Sequence, residues 1–524
     1  MYVKPTKLSA ALAAVVALTG CSVGPNYHTP AIATPAAFVA EAAAGSNRAS
    51  ARAEVDLRQW WRSLHDKELD SLIDRALASN LDLEIALTRI QVARLAIVVT
   101  SGRDLPSAEV TAGGGGGTGS DESKGRASTV FRAADNSKNL QYIGEAGGFD
   151  AGWDLDLFGK VKRQIEAATD ISEALKDERD WIYVTVAADV ARAYLDMRSQ
   201  ERELAVLGQN IEAARAALGL AQSRLDRGLT NELDVSLAQR QLATLQADQA
   251  PIRAQIDASR HAISVLLGEF PETMAKELSH PGPMPVLPQH IPVGLPAELL
   301  RRRPDIREAE RLVAAANAAI GAAIADLFPD VVVTGAYGGQ GGPLSSKTLL
   351  PAVAIWSIGP SVSMPFLDFG ALDAQIDIAD FRTQGALVGY REAILRAVQQ
   401  VDDAGAAFHA QQERLGDLDR ALTAAREATR IATERYDRGL TDFLNVLDAE
   451  RQQFELEERN VAARQVEAEA LVGLFRALGG GWPQKQNLPD IPKPEPAVAA
   501  AVKYLMHPDQ GPLNPPGNPP PLQQ

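Results

Sequence analysis

The chain has one cysteine, Cys21, in 524 residues, so it can form neither an internal disulfide nor a thiolate metal cluster. Its seven histidines are scattered, with no pair at the i, i+4 spacing of a helical zinc site. Positive charge is in deficit. The 67 acidic and 52 basic side chains leave a net charge of −15, which argues against nucleic-acid binding and against a broad polybasic membrane patch. After the N-terminal segment, no apolar stretch approaches the ~20 residues a membrane-crossing helix needs. The five glycines at 113–117 are not followed by Lys-Ser/Thr, so they read as a strand end or loop tip rather than a phosphate cradle. No nucleophile–base pair or metal spacing is present either. The expectation is therefore a non-enzymatic protein with no catalytic residue, no metal and no cofactor.

The N-terminal segment reads as a targeting signal. Lys4 and Lys7 precede an apolar run from Leu8 to Leu18, and small residues lead to Cys21. This is too short for a membrane span and is followed by polar chain. Leu18–Cys21, "LTGC", resembles the bacterial lipobox, which predicts cleavage after residue 20 and a covalent lipid on Cys21. One acyl chain anchors only marginally, at roughly 0.8 kcal/mol per buried CH₂, but several hold permanently. Ser22 after the cysteine goes with outer-membrane sorting.

Repetition dominates the remainder. "DRGLT" occurs at Asp226–Thr230 and again at Asp437–Thr441, a step of 211 (437 − 226). The same step carries Phe158-Gly159 onto Phe369-Gly370. Two halves follow one plan, and internal repeats decide the fold before anything else. The expected division is a signal at 1–20 and an extended lead at 21–65, then a first repeat at 66–270. A proline-rich connector at 271–296 leads to a second repeat at 297–482 and a proline-rich tail at 483–524, whose composition is that of disordered chain.

Each repeat carries the same elements. Lys67–Arg103 has a helical pattern broken at Asn80. "YIGEAGGFDAGWDLDLFG" then alternates, with Phe149, Ala151, Trp153, Leu155 and Leu157 on one face and Asp150, Gly152, Asp154 and Asp156 on the other. Adding 211 gives Pro360, Val362, Met364 and Phe366 as the apolar face of the counterpart, and Trp356 precedes them. Weaker partner strands lie near 107–114 and 330–339, giving one hairpin per repeat. A long polar loop near 117–141 accounts for the first repeat's extra residues.

A very long helix follows each hairpin. Leu204, Leu207, Ile211, Ala214, Leu218, Ala221 and Leu225 step by three and four, a heptad pattern that imposes left-handed supercoiling. The shifted stripe, from Leu415 to Tyr436, is thinner. "DRGLT" is the turn of a helical hairpin. Gly228 and Gly439 sit at the left-handed C′ position, and Thr230 and Thr441 are placed to cap the return helix. At 1.5 Å per residue the outgoing helix, Val161–Leu225, spans roughly 100 Å. The return helix, Glu232–Leu267, spans about 55 Å, and the helix before the strands about 35 Å. Stacked end to end, the two short helices match the long one.

Only helices and closed barrels cross lipid, because every backbone N–H and C=O must be paired. Four strands are fewer than the eight of the smallest known barrels, so the chain must oligomerise to span a membrane. Phe149, Trp153, Trp356 and Phe366 are then candidate membrane-facing aromatics. Trp60 and Trp61 read as packing residues rather than a ligand-stacking pair.

"VGPNYHTP", "QWWRSLHDKELDSLIDRALASNLDLEIALTRIQVARL", "WDLDLFGKVKRQIEAA", "FLDFGALDAQI" and "LGGGW" resemble the TolC-type outer-membrane efflux proteins, specifically the NodT-type lipoproteins of tripartite RND pumps. The resemblance runs from about Cys21 to Trp482. It implies a mostly α fold with a small β part: a homotrimer whose twelve helices form a periplasmic coiled-coil barrel, continued by a twelve-stranded transmembrane β-barrel. It also implies an exit duct in the outer membrane of a Gram-negative bacterium, lipid-anchored and reaching into the periplasm. A periplasmic adaptor docks on it, and an inner-membrane RND pump supplies drugs or other small toxic compounds. The metal-efflux and type I secretion variants of the same duct stay open, and a non-pore periplasmic scaffold is the remaining alternative. By the same resemblance Asp234, Tyr436, Asn445 and Asp448 stand at gate positions of the periplasmic mouth. Arg227 and Arg438 are the candidate partners of these acids, with ordinary helix pairing as the alternative. Whether charge pairs or packing hold the gate is left open.

Overall fold

The computed structural model describes residues 22–33, 35, 37–38, 57–119, 140–288, 302–345 and 348–482. Cys21, the polar stretch at 120–139 and the tail after Trp482 lie outside the described residues. A 3₁₀ turn at Leu57–Leu64 precedes α1 (Lys67–Ser79) and α2 (Leu81–Gly102). The first hairpin, β1 (Ser107–Gly119) and β2 (Leu140–Leu155), leads into α3 (Lys160–Asp226). The return is α4 (Glu232–Ala247) and α5 (Gln249–Leu266), followed by the short α6 (Pro271–Glu277) in the connector. The second series is α7 (Pro304–Ala325), β3 (Asp330–Ser345), β4 (Thr348–Ser363), α8 (Ala371–Asp437) and α9 (Phe443–Ala477). The two long helices, α3 and α8, are each 67 residues and start 211 positions apart.

Local chemistry sets the boundaries. The Asp66 carboxylate accepts from Glu68 and Leu69 N–H at 2.9 and 3.1 Å and starts α1. Asn80 ends α1 and caps α2, accepting from Asp82 and Leu83 N–H at 3.0 and 3.3 Å. The first return helix is broken, contrary to the continuous Glu232–Leu267 expected, because Pro251 has no N–H to give the Ala247 carbonyl. Its counterpart, α9, has Ala462 in the matching place and runs unbroken for 35 residues.

Of the strand end or loop tip expected at Gly113–Gly117, the strand end is what forms: their backbone pairs with Ala146–Tyr142 of β2, since ladder pairing needs only N–H and C=O. One other expectation needs correction. Leu157, Met364 and Phe366 lie beyond the strand ends, and Phe366 is exposed in the link to α8.

The four strands form one antiparallel sheet in the order β1-β2-β3-β4, with β2–β3 joining the two repeats. The helices nearest the sheet make a matching row, α2 on α3, α3 on α7, α7 on α8. At mid-height, Trp60, Trp61, Leu72 and Ile73 bury against Val190, Tyr194 and Met197 of α3 and Phe475 of α9. Trp60 stacks on Phe475 at 4.7 Å and meets Trp61 edge-on, so the pair is core, and truncating either costs about 3–5 kcal/mol. The N-terminal lead straps the two series together. Arg163 of α3, 3% exposed, donates to the carbonyls of Val23 and Gly24, while Gly24 lies so close to Gly321 of α7 that a Cβ would meet its Cα at 2.4 Å.

Candidate functional site

Two regions carry the chemistry the sequence pointed to: the sheet at one end and the helical-hairpin tips at the other. Directly opposed residues of an antiparallel sheet share a face. Val110, Phe149, Tyr337 and Trp356 stand in register across all four strands, and all are exposed. Ala108, Ala151, Gly335 and Ile358 form the next row on that face, followed by Trp153, Val333 and Pro360. The other face carries Glu109, Asp150, Ala336 and Ser357, then Ser107, Gly152, Thr334 and Gly359. One face is therefore apolar and aromatic, the other acidic or small. The structure gathers Phe149, Trp153 and Trp356 on the apolar face and leaves Phe366 off it. Trp153 also donates its indole N–H to the Asp104 carbonyl at 3.0 Å, at the helix-proximal margin of the sheet.

Among the described residues, the edge strands β1 and β4 are each paired on one side only. The end helices repeat the feature. On α2, Leu81, Ile85, Val92, Leu95 and Val99 are exposed at heptad spacing, and on α8, Ile378, Phe381, Val388 and Leu395 are too. Each has the spacing of a coiled-coil seam and meets no partner among the described residues.

At the opposite end the two "DRGLT" turns close both hairpins alike. Gly228 and Gly439 adopt φ of 74° and 72°. Gly228 N–H donates to the Leu225 carbonyl and Leu229 N–H to Arg224; Gly439 and Leu440 repeat this on Tyr436 and Arg435, all at 2.8 or 2.9 Å. This is the Schellman pattern, which satisfies the last free carbonyls of α3 and α8. The threonines are not the caps. Asn231 caps α4, accepting from Leu233 and Asp234 N–H, and Asp442 precedes α9 with no side-chain cap bond. Thr230 instead gives its hydroxyl to Asp234, and Thr441 accepts from the Asn445 amide at 2.8 Å.

The gate candidates separate into two groups. Tyr436, 2% exposed, donates its hydroxyl to Asp234 at 3.4 Å, joining the second hairpin to the first. Its ring packs 5.3 Å from Phe443, within an apolar cluster of Ala221, Val235, Val446 and Leu447. Burial, with the Asp234 charge adding to it, pushes the Tyr436 phenol above its usual range. Asp448 and Arg438 do not join this contact. Asp448 binds Arg451 and Gln452 of its own helix, and Arg438 pairs with Glu434 one turn back. Arg227 is exposed and makes no ion pair among the described residues.

The cation that does bridge the hairpins is Arg224, which the sequence reading did not single out. Its guanidinium lies 4.6 Å over the Tyr436 ring and donates to the Tyr436 and Asp437 carbonyls at 2.8 and 3.0 Å. It caps the negative end of α8 from a neighbouring helix while holding the ring. One signal was available: Arg224 lies one place before Leu225, the position that a step of 211 turns into Tyr436.

Comparison with known proteins agrees with this geometry. The family model for "Outer membrane efflux protein" matches residues 72–269 and 295–480. Nodulation protein T of Rhizobium leguminosarum bv. trifolii is 29% identical over 465 residues, covering 89% of this chain and 95% of that protein. Cation efflux system protein CusC of Escherichia coli O6:H1 is 28% identical over 473 residues, covering 90% of this chain and 97% of that one. The solved structure of the outer-membrane channel OprN superposes with a TM-score of 0.78 at 33% identity, covering 88% of this chain and all of that one.

Proposed function

The chain belongs to the outer membrane efflux protein family and is an outer-membrane efflux channel rather than an enzyme; on that premise we propose how it builds its pore and what it joins. Three copies close edge to edge, β4 of one pairing with β1 of the next, to give a twelve-stranded barrel with the aromatic face to lipid and the acidic face to the lumen. The same rotation lays the α8 seam of one copy on the α2 seam of the next and closes the helical tube. The observation that carries this is the open-edged sheet with one apolar and one polar face, continued by a helix row whose two ends are both apolar.

The tube conducts small toxic compounds handed over by a periplasmic adaptor and an inner-membrane pump. The tips offer the adaptor an apolar surface, since Leu229, Leu233, Leu440 and Leu444 are 60–63% exposed. Tyr436, Asp234 and Arg224 hold the mouth shut. A lipid on Cys21 fits the path of the lead: Ser22 lies against Gly159 and Val23 N–H donates to the Phe158 carbonyl at 3.0 Å, at the sheet end of α3. A lipid on the residue before Ser22 would suit an anchor close to the strands.

The test is the mass and conductance of the detergent-solubilised protein. Three times the chain mass by light scattering and discrete channels in planar bilayers are expected. A monomer, or a trimer that never conducts, overturns the reading. Palmitate labelling that persists in Cys21→Ser removes the lipid assignment.

A further inference from the structure

Midway along the helical hairpins, α3, the α4/α5 break and α9 enclose a cleft of about 300 Å³. Its floor is carbon: Leu207, Leu245, Ile252 and Phe454 line it, and each is at least nine-tenths buried. Asn210 lines it too. That residue is 6% exposed, and its amide makes no hydrogen bond among the described residues. The amide atoms keep some surface open to the cleft, so they are placed to bond a polar atom of a ligand.

Charge around the cleft is one-sided. Glu203, Asp248, Glu455 and Glu458 line it against a single cation, Arg451. Arg451 is already bound to Asp448, and Glu455 to Arg459, both within α9. Glu203, Asp248 and Glu458 form no ion pair among the described residues. Glu203 is held above the usual carboxylate range by burial and by the facing Glu458 charge. Nothing in the repeat plan demands this arrangement. A step of 211 puts Arg414 in the place of Glu203, Ala421 in that of Asn210 and Arg459 in that of Asp248, so the second repeat has no counterpart.

From these features we infer that the cleft is a binding site for an organic cation with an apolar body, one per protomer. The body lies on the Leu207–Phe454 floor, the positive centre faces Glu203 and Glu458, and Asn210 meets a polar atom of the ligand. Small-ligand sites are mostly apolar cavities of this order with a few placed polar groups. A hard divalent ion needs six or more oxygens, which a floor of hydrocarbon does not supply. The inference rests on the efflux reading only in taking such molecules to be cargo.

The experiment is a calorimetric titration of the intact, detergent-solubilised trimer with tetraphenylphosphonium, with neutral triphenylphosphine oxide as its uncharged comparator. Saturable binding of one cation per chain is expected, with the neutral compound at least tenfold weaker. The pair Glu203→Gln with Glu458→Gln, the first half-buried and the second exposed, leaves packing alone and should weaken binding at least tenfold, and Asn210→Leu several-fold. No saturation up to about 1 mM, the weak end of useful affinity, overturns the site. So does equal affinity in the double glutamine variant. Displacement of the probe by micromolar magnesium, lost in that variant, would make it a metal site instead. Conductance of the same preparation separates the two readings: channels without binding sink only the cleft, and binding without channels sinks only the duct.

Discussion

The two repeats share helix lengths, turns and strand pairing, yet they differ at the positions that matter. The heptad position that is Leu225 in the first is Tyr436 in the second, and the post-turn position that is Asp234 in the first is Asn445 in the second. The Tyr436–Asp234 contact therefore takes one departure from each repeat, and no equivalent bond forms in the reverse direction. The return helices differ as well. Pro251 breaks the first, while the second runs unbroken and packs against both α8 and α3. Duplication supplied the scaffold, and divergence at a handful of sites made one hairpin hold the other.

The largest effect is expected where that difference buries a charge. Glu450 of α9 is 6% exposed and one of its carboxylate oxygens has no partner, whereas its repeat counterpart, Gln239, is exposed. Arg426, on the adjoining helix, is occupied by Glu457. Burial alone pushes Glu450 up to about 7 from an ordinary 4.5. The native state then keeps a proton that the unfolded chain has lost, so stability is full below pH ~4.5 and falls as pH rises towards ~7. Glu450→Gln should remove that slope, gaining roughly 3 kcal/mol per protomer above pH 7 and almost nothing below pH 4.5. Asp177, Asp196 and Glu308 are also raised by burial, so the measure is the difference in melting temperature between variant and wild type at pH 5 and pH 8. A variant equally stable at both, relative to wild type, would place Glu450 in solvent.

Next comes the clasp. Arg224→Ala removes a cation–π contact and two charge-assisted hydrogen bonds that exist only between the hairpins, about 2–3 kcal/mol together. Its effect belongs on the closed mouth: open-channel events should rise at least tenfold in planar bilayers. Arg435→Ala, the same position of the other repeat, should leave conductance unchanged, because Arg435 holds no contact with the first hairpin among the described hydrogen bonds. Equal effects from the two would show that Arg224 acts as surface charge.

What could be read in the sequence follows from how far each signal reaches along the chain. Helix lengths, the strand faces and the glycine turns are local and periodic, so Leu207, Phe149 and Gly228 reveal themselves by spacing. The core role of Trp60 and Trp61 followed from their bulk. Arg224 did not, because its partners are carbonyls of Tyr436 and Asp437, about two hundred residues away, and no side-chain pattern marks a carbonyl. Arg227 and Arg438 looked better placed beside the turn, but Schellman closure turns both outward, and Arg438 finds Glu434 on its own helix. The break at Asp248 was legible in Pro251, which has no N–H for the Ala247 carbonyl.

A smaller effect tests whether charge or packing holds the gate. Tyr436→Phe deletes one hydrogen bond of 3.4 Å, near the limit of such bonds, and keeps the ring under Arg224 and against Phe443. Less than about 1 kcal/mol should be lost. Channel opening in this variant should stay closer to wild type than to Arg224→Ala. If it matches Arg224→Ala instead, the hydroxyl, not the ring, is what Arg224 organises.

Smallest of all in stability is Asn445→Asp, which makes the second post-turn position like the first. Thr441 accepts from the Asn445 amide at 2.8 Å, and a carboxylate there would instead accept a hydrogen bond from the Thr441 hydroxyl, as Asp234 accepts one from Thr230. The change in melting temperature should correspond to no more than about 0.5 kcal/mol. Its electrical effect is separate. Threefold symmetry would add three carboxylates at one level of the mouth, and like charges held close favour uptake of cations. The reversal potential under a potassium chloride gradient should shift towards cation selectivity. An unshifted potential with an unchanged melting temperature would mean that Asn445 faces away from the pore.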